Sequence, residues 1–171
     1  TDEHGVDWSY RRLIDAVELA AIEMSRLGIR PGDRVMIVCE NSIAAIVLLY
    51  ASSRLDAWAV IINARLSQHE LDLIERDCRP RRVFYTHAIS SDADAHACRR
   101  DADIEPFTGI GEVKVGKLDA DSVAERVHRD SSRQVAVVIY TTGTTGRPKG
   151  GERSEQKTGR RTHNVGLSHA Q

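Results

Sequence analysis

Three short runs in this chain of 171 residues carry apolar side chains at successive positions rather than alternate ones. They are Val35-Met36-Ile37-Val38-Cys39, Ala57-Trp58-Ala59-Val60-Ile61-Ile62 and Val135-Ala136-Val137-Val138-Ile139. A strand turns successive side chains to opposite faces of its sheet. A run without polar alternation therefore needs apolar cover on both faces, as parallel strands sheathed by helices have. Segments with helical spacing separate the runs. Strand alternating with helix, with right-handed crossovers, predicts an α/β fold: a parallel-rich sheet with flanking helices.

The helices announce themselves by caps and stripes. Ser9 is a good N-cap for a helix to about Leu27, whose apolar positions Leu13, Val17, Ala20, Met24 and Leu27 form one face. Gly28 stops it, and Pro31-Gly32-Asp33 makes a turn. Asn41 or Ser42 caps a second helix, roughly Ile43 to Leu55, apolar nearly all round and so expected to be well buried. Ser67 and Glu70 form a capping box for a helix from about Gln68 to Asp77, with Pro80 beyond its end. Arg82 to Tyr85 reads as a short strand, with Arg79, Arg81 and Arg82 as its solvated start. Residues 91–100 suit a solvated helix, acidic first and basic last, as the macrodipole favours. Residues 101–133 are mixed and polar, with a short helix expected near Ser122 to Val127.

Composition narrows the function. A net charge of −1 argues against bulk electrostatic binding to nucleic acid or anionic membrane, and 5% aromatics against stacking platforms for single strands. Cys39, Cys78 and Cys98 are far apart and have neither a C-x-x-C pair nor zinc spacing, which points to free thiols in a reducing cytoplasm. No stretch reaches eighteen apolar residues, so no integral membrane segment is expected. His4, His69, His87, His96 and His128 lack metal spacing and read as surface or core residues. The Asp92, Asp94, Asp101 and Asp103 group lacks the glycine and terminal glutamate of a calcium loop, so a solvated face is expected and no metal site.

The chemistry lies after the third apolar run. Thr141 to Lys149 packs four threonine hydroxyls, two glycines and one lysine into nine residues. Glycines let backbone N–H groups approach an anion, hydroxyls add donors, and a lysine adds a point charge for phosphate oxygens. The order G-T-T-G-R-P-K-G is not the G-x-x-x-x-G-K-S/T of a Walker loop, nor the G-x-G-x-x-G of a dinucleotide fold. Without further context, a Gly/Thr turn after a buried strand is the competing reading.

The string Tyr140-Thr141-Thr142-Gly143-Thr144-Thr145-Gly146-Arg147-Pro148-Lys149-Gly150 resembles the phosphate-binding loop of the adenylate-forming enzymes, which include acyl-CoA synthetases, luciferases and peptide-synthetase adenylation domains. The resemblance extends upstream. Trp8-Ser9-Tyr10-Arg11-Arg12-Leu13 is similar to the family's L/W-S/T-Y-x-x-L segment, and Gly28-Ile29-Arg30-Pro31-Gly32-Asp33-Arg34-Val35 to its G-I/V-x-P-G-D-R-V turn. Asn41-Ser42 matches the opening of its second helix, and residues 54–67 resemble its K-x-G-A-x-x-V-P-x-N-x-R-L-S block, with Asp56 in place of a glycine and Ile62 in place of a proline. These upstream matches read as scaffold.

The resemblance implies a partial N-terminal AMP-binding (adenylation) domain over residues 1–150. It implies ATP with Mg2+, a small-molecule carboxylic acid, and coenzyme A as co-substrate. The loop residues that would hold the phosphates are Thr141, Thr142, Gly143, Thr144, Thr145, Gly146 and Lys149. The family's catalytic lysine lies in a C-terminal domain outside this chain. The Arg54-Leu55-Asp56-Ala57-Trp58 and Asn63-Ala64-Arg65-Leu66-Ser67 strings incline the resemblance toward a fatty acyl ligase. Past Gly150 the resemblance stops: residues 151–171 hold only Val165 and Leu167 as large aliphatics and read as an unrelated, disordered tail. The break suggests a frameshifted or truncated product, inactive alone and at most a weak nucleotide binder.

Overall fold

The computed structural model describes residues 2, 5–128, 130, 134–142 and 148–154, of which 141–142 and 148–154 are described by their backbone. The elements run α1 (Tyr10–Arg26), β1 (Arg34–Cys39), α2 (Ile43–Arg54), β2 (Trp58–Asn63), α3 (Gln68–Cys78), β3 (Arg82–Tyr85), α4 (Ser91–Arg99), β4 (Asp103–Phe107), β5 (Gly111–Val115), β6 (Val135–Thr142) and β7 (Pro148–Ser154). They form one sheet in the order β4-β5-β3-β1-β2-β6-β7. Its four central strands, β3, β1, β2 and β6, are parallel. Antiparallel strands extend it at both edges, β5 and β4 beside β3, and β7 beside β6.

The unalternated runs have the two-sided burial their composition demands. On β1, Val35, Ile37 and Cys39 join the core formed with α1 and α2. Met36 and Val38 join the other core, with Leu71 and Ile74 of α3 and Ala93 and Ala97 of α4. Burying each such side chain stabilises the fold by about 1.5–3 kcal/mol.

The caps are where the residue types require them. Ser9 Oγ accepts from the Arg12 N–H at 3.1 Å, and Ser42, not Asn41, caps α2 by accepting from Ala45 at 3.2 Å. Both arms of the Ser67/Glu70 capping box are closed. On α1, Val17, Ala20, Met24 and the C-cap Leu27 are buried as the stripe predicts.

Several expectations give way. First, α2 is not covered all round: Ile46 and Tyr50, one turn apart, are exposed. Second, α4 is not merely solvated: Ala93, His96 and Ala97 form a buried face. Third, residues 103–115 form a hairpin, β4 and β5, that the charged sequence concealed. Phe107 and Val113 bury one of its faces, while Asp103, Ile104 and Glu112 remain exposed.

The helix expected near Ser122 to Val127 is also absent, because partners elsewhere take this segment's polar groups. The Glu125 N–H donates to the Gly32 carbonyl at 2.7 Å, the Glu125 carboxylate pairs with Arg34, and the Ser122 carbonyl accepts from Arg30. Fourth, Arg81 and Arg82 are not solvated. Arg81 donates to the carbonyls of Gly28, Asp119 and Ala120, and Arg82 to those of Leu27 and Gly116. The two guanidiniums tie the end of α1 to the chain that follows β5.

Candidate functional site

The Thr/Gly/Lys segment leaves the sheet from β6. That strand runs beside β2 with Ala59 opposite Val137, Val60 opposite Val138 and Ile61 opposite Ile139. From Tyr140 onward the partner is β7: Tyr140 faces Gly150, Thr141 faces Lys149 and Thr142 faces Pro148. Of the residues singled out in the sequence, Thr141 and Thr142 therefore close β6, and Lys149 is the second residue of β7 with its backbone opposite Thr141. The hairpin brings the two ends of the segment together. Gly143, Thr144, Thr145 and Gly146 lie outside the described residues. The tail expected to be disordered from Gly151 begins with four residues, 151–154, inside β7; residues 155–171 lie outside the described residues.

The strand beneath the segment is anchored on the α3 side. Val138 is buried there, with Tyr140 partly buried against the same cluster. The Tyr140 hydroxyl donates to Asp77 Oδ2 at 2.6 Å. Burial first, and then this hydrogen bond, push the Tyr140 phenol well above its ordinary value. Sequence reading had no reason to single out Asp77. The available signal was a carboxylate at the penultimate position of a helix, where the macrodipole disfavours one.

Two of the titratable groups considered as metal candidates, His96 and Asp94, have local partners. His96 is buried, with Nε2 at 3.1 Å from the carbonyls of Ala64 and Leu66. Asp94 accepts from Lys114 Nζ at 2.6 Å. Among the described residues, no group of three His, Cys, Asp or Glu is placed to hold a metal ion. None of the helices described is long and apolar enough to cross a membrane. Cys39 and Cys78 are buried and Cys98 is exposed, all three as free thiols.

The model of the AMP-binding enzyme family matches residues 1–165. The chain belongs to that family. The match covers the whole parallel core and runs past Gly150, the point at which the resemblance was expected to stop. A long-chain-fatty-acid–CoA ligase of Mycobacterium tuberculosis is 32% identical over 154 residues, 85% of this chain and 29% of that protein. A 2-succinylbenzoate–CoA ligase of Bacillus cereus is 30% identical over 146 residues, 83% of this chain and 27% of that protein. This member of the family thus spans less than a third of the length of these relatives.

Solved structures agree on the fold. The inhibitor-bound N-terminal domain of FACL13 from Mycobacterium tuberculosis superposes with a TM-score of 0.65 at 25% identity, over 88% of this chain and 38% of that one. ATP-bound MatB from Rhodopseudomonas palustris superposes with a TM-score of 0.61 at 26% identity, over 89% of this chain and 30% of that one. The architecture of this family member is that of the N-terminal domain of adenylate-forming enzymes.

Proposed function

We propose that this chain is the amino-terminal part of the adenylation domain of an ATP-dependent carboxylate–CoA ligase, with a fatty acid as the carboxylate. The observation that carries the reading is the Thr141–Lys149 segment, set directly after a central parallel strand in a chain of the AMP-binding family. In doubly wound α/β sheets, ligands sit beyond the carboxyl ends of such strands. The fatty acyl assignment is supported by the name of one relative and by the residues 54–67 block.

In the intact enzyme a carboxylate oxygen attacks the α-phosphorus of ATP, the bond to the β-phosphate oxygen breaks, and pyrophosphate leaves an acyl-adenylate. The thiol of coenzyme A then attacks the acyl carbon, AMP leaves and the thiol proton is released. Thr141, Thr142, Thr144 and Thr145 would donate to the β- and γ-phosphates, Gly143 and Gly146 would let the backbone approach, and Lys149 would neutralise charge. Their chemistry fits a polyphosphate: hydroxyl and amide donors with one cation and no carboxylate. Magnesium would enter as the counter-ion of ATP. The three free thiols suit the reducing cytoplasm.

Large aliphatics become rare after Gly150, inside the family match to residue 165, and a shift of reading frame there would account for the change in composition. Translating the coding DNA beyond codon 150 in the other two frames tests that shift. An apolar strand that continues the family's sequence is expected in one of them, and its absence from both would remove the frameshift reading.

The functional test is made on this chain. Mg2+–ATP is expected to bind weakly, with a loss of about tenfold in Lys149→Ala, the scale of one charge-assisted hydrogen bond. ATP–pyrophosphate exchange with long-chain fatty acids is expected to be absent, because the family's catalytic lysine lies elsewhere. Equal ATP affinity in wild type and Lys149→Ala would overturn the phosphate role. Exchange by this chain would overturn its inactivity.

A further inference from the structure

Tyr140 stands at a change of support. Up to Ile139, β6 is flanked by β2 on one side and β7 on the other. From Tyr140 on, only β7 pairs with it. A strand end held by one neighbour is free to twist, and Thr141 and Thr142 follow at once. The contact that replaces the missing strand is made by a side chain: Tyr140 reaches α3 and its hydroxyl donates to Asp77 Oδ2 at 2.6 Å. A hydroxyl on a carboxylate makes a short, charge-assisted bond, stronger than a neutral one.

The acceptor is well mounted. Leu71, Ile74 and Cys78 of α3 are buried in the sheet's core, the helix start is closed by its capping box, and Arg100 binds both Asp72 and Glu75 at 2.6 and 2.7 Å. Asp77 itself opposes the macrodipole at the helix's carboxyl end. Helix formation does not explain this carboxylate, whereas the Tyr140 hydroxyl does. Local rules broken in this way point to tertiary or functional demands.

We propose that Asp77 and Tyr140 are positioning residues for polyphosphate binding, their hydrogen bond fixing the direction in which Thr141 and Thr142 leave the sheet. The inference rests on the phosphate reading of that segment. Donors for an anion must be held to about 0.5 Å to be effective. A strand end anchored to a rigid helix meets that demand at lower entropic cost than a free one.

The test uses the full chain as wild type, Tyr140→Phe, Asp77→Ala, Asp77→Asn and the double variant Tyr140→Phe/Asp77→Ala. Three quantities are measured: the thermal midpoint, hydrogen exchange of the Thr141 and Thr142 amides, and affinity for Mg2+–tripolyphosphate by NMR titration. Tyr140→Phe and Asp77→Ala are each expected to weaken tripolyphosphate binding about tenfold and to speed both amides' exchange. The double variant should be no worse than either single one. Asp77→Asn keeps an acceptor oxygen and should retain most of the affinity. Lower midpoints with unchanged affinity and exchange would make the bond merely structural and overturn the proposal. A wild-type chain that binds no tripolyphosphate would overturn the phosphate reading, and this role with it, even if exchange at Thr141 responded to the variants.

Discussion

The Arg81 guanidinium lies 3.6 Å from the Asp33 carboxylate, with the two side chains 10% and 0% exposed. Arg30 holds the same carboxylate from the outside at 3.0 Å. Arg81 also donates to the carbonyls of Gly28, Asp119 and Ala120, so one buried cation serves three chain segments. Removing one partner of a buried pair costs about 3–5 kcal/mol. Arg81→Ala should fall near 3 kcal/mol, because Arg30 still compensates Asp33. Urea unfolding checks this, and a loss under about 1 kcal/mol, the scale of a surface pair, would contradict it.

Gly32 sits at φ +82°, and a Cβ there would lie 2.1 Å from the Glu125 carbonyl oxygen, a backbone atom. Gly32→Ala must therefore strain the turn and displace the segment that carries the Glu125 partner of Arg34. The expected loss is about 2 kcal/mol or more, combining left-handed strain with a backbone clash. Thermal unfolding of Gly32→Ala beside the wild type measures it.

Asp56 adopts φ 54°, in the left-handed region, and is exposed. Its carbonyl accepts from the Gly32 N–H at 2.9 Å and from Gln134 Nε2 at 3.0 Å, so the conformation is held in place. Asp56→Gly should raise stability by about 0.5–1 kcal/mol by removing the Cβ penalty, net of the greater freedom of glycine in the unfolded chain. An increase in the urea midpoint with unchanged slope is the expected signature.

Burial pushes the Cys39 thiol up to about 11 and the Cys78 thiol up to about 12, whereas Cys98 is exposed. The thiolate is the reactive form. Iodoacetamide at neutral pH should therefore modify Cys98 alone in the folded chain, and all three thiols in urea. Peptide mass spectrometry reads the sites, and rapid labelling of Cys39 under native conditions would contradict the buried core.

The Lys114 hydrogen bond holds the Asp94 carboxyl below its ordinary 3.8, and the same bond raises Lys114 above its ordinary 10.5. A depressed carboxyl stabilises the fold above its unfolded value, and that stability is lost as pH falls through the folded value. A raised amine stabilises below its unfolded value, and that stability is lost as pH rises through the folded one. The pair thus contributes fully between 3.8 and 10.5. Asp94→Asn should melt below the wild type at pH 7, and the gap should close as pH drops below 3.8.

Much of the fold was legible because local chemistry and tertiary need coincide in it. Ser9, Ser42 and Ser67 cap the helices whose starts they mark, and the apolar runs of β1, β2 and β6 occupy the parallel centre. The β4–β5 hairpin escaped notice because Asp103, Glu105, Glu112 and Lys114 give it the look of a solvated loop, and its burial is confined to Phe107, Val113 and Val115. Of the candidate site, the Thr/Gly/Lys string was readable as chemistry. Its attachment to α3 through Asp77 was not, since 63 residues separate that carboxylate from Tyr140.

The resemblance of the string after β6 pointed to the family, while residue type and spacing alone determined the helix starts and the two-sided strands. Those features depend on neighbours a few positions away or on the periodic demand of a buried face. Only the tertiary structure decided where Arg81 and Arg82 spend their donors, why residues 122–127 form no helix, and which helix receives the Tyr140 hydroxyl. Each of these is a polar group taken out of water, and its partner is whichever group the packed sheet and helices bring within about 3 Å.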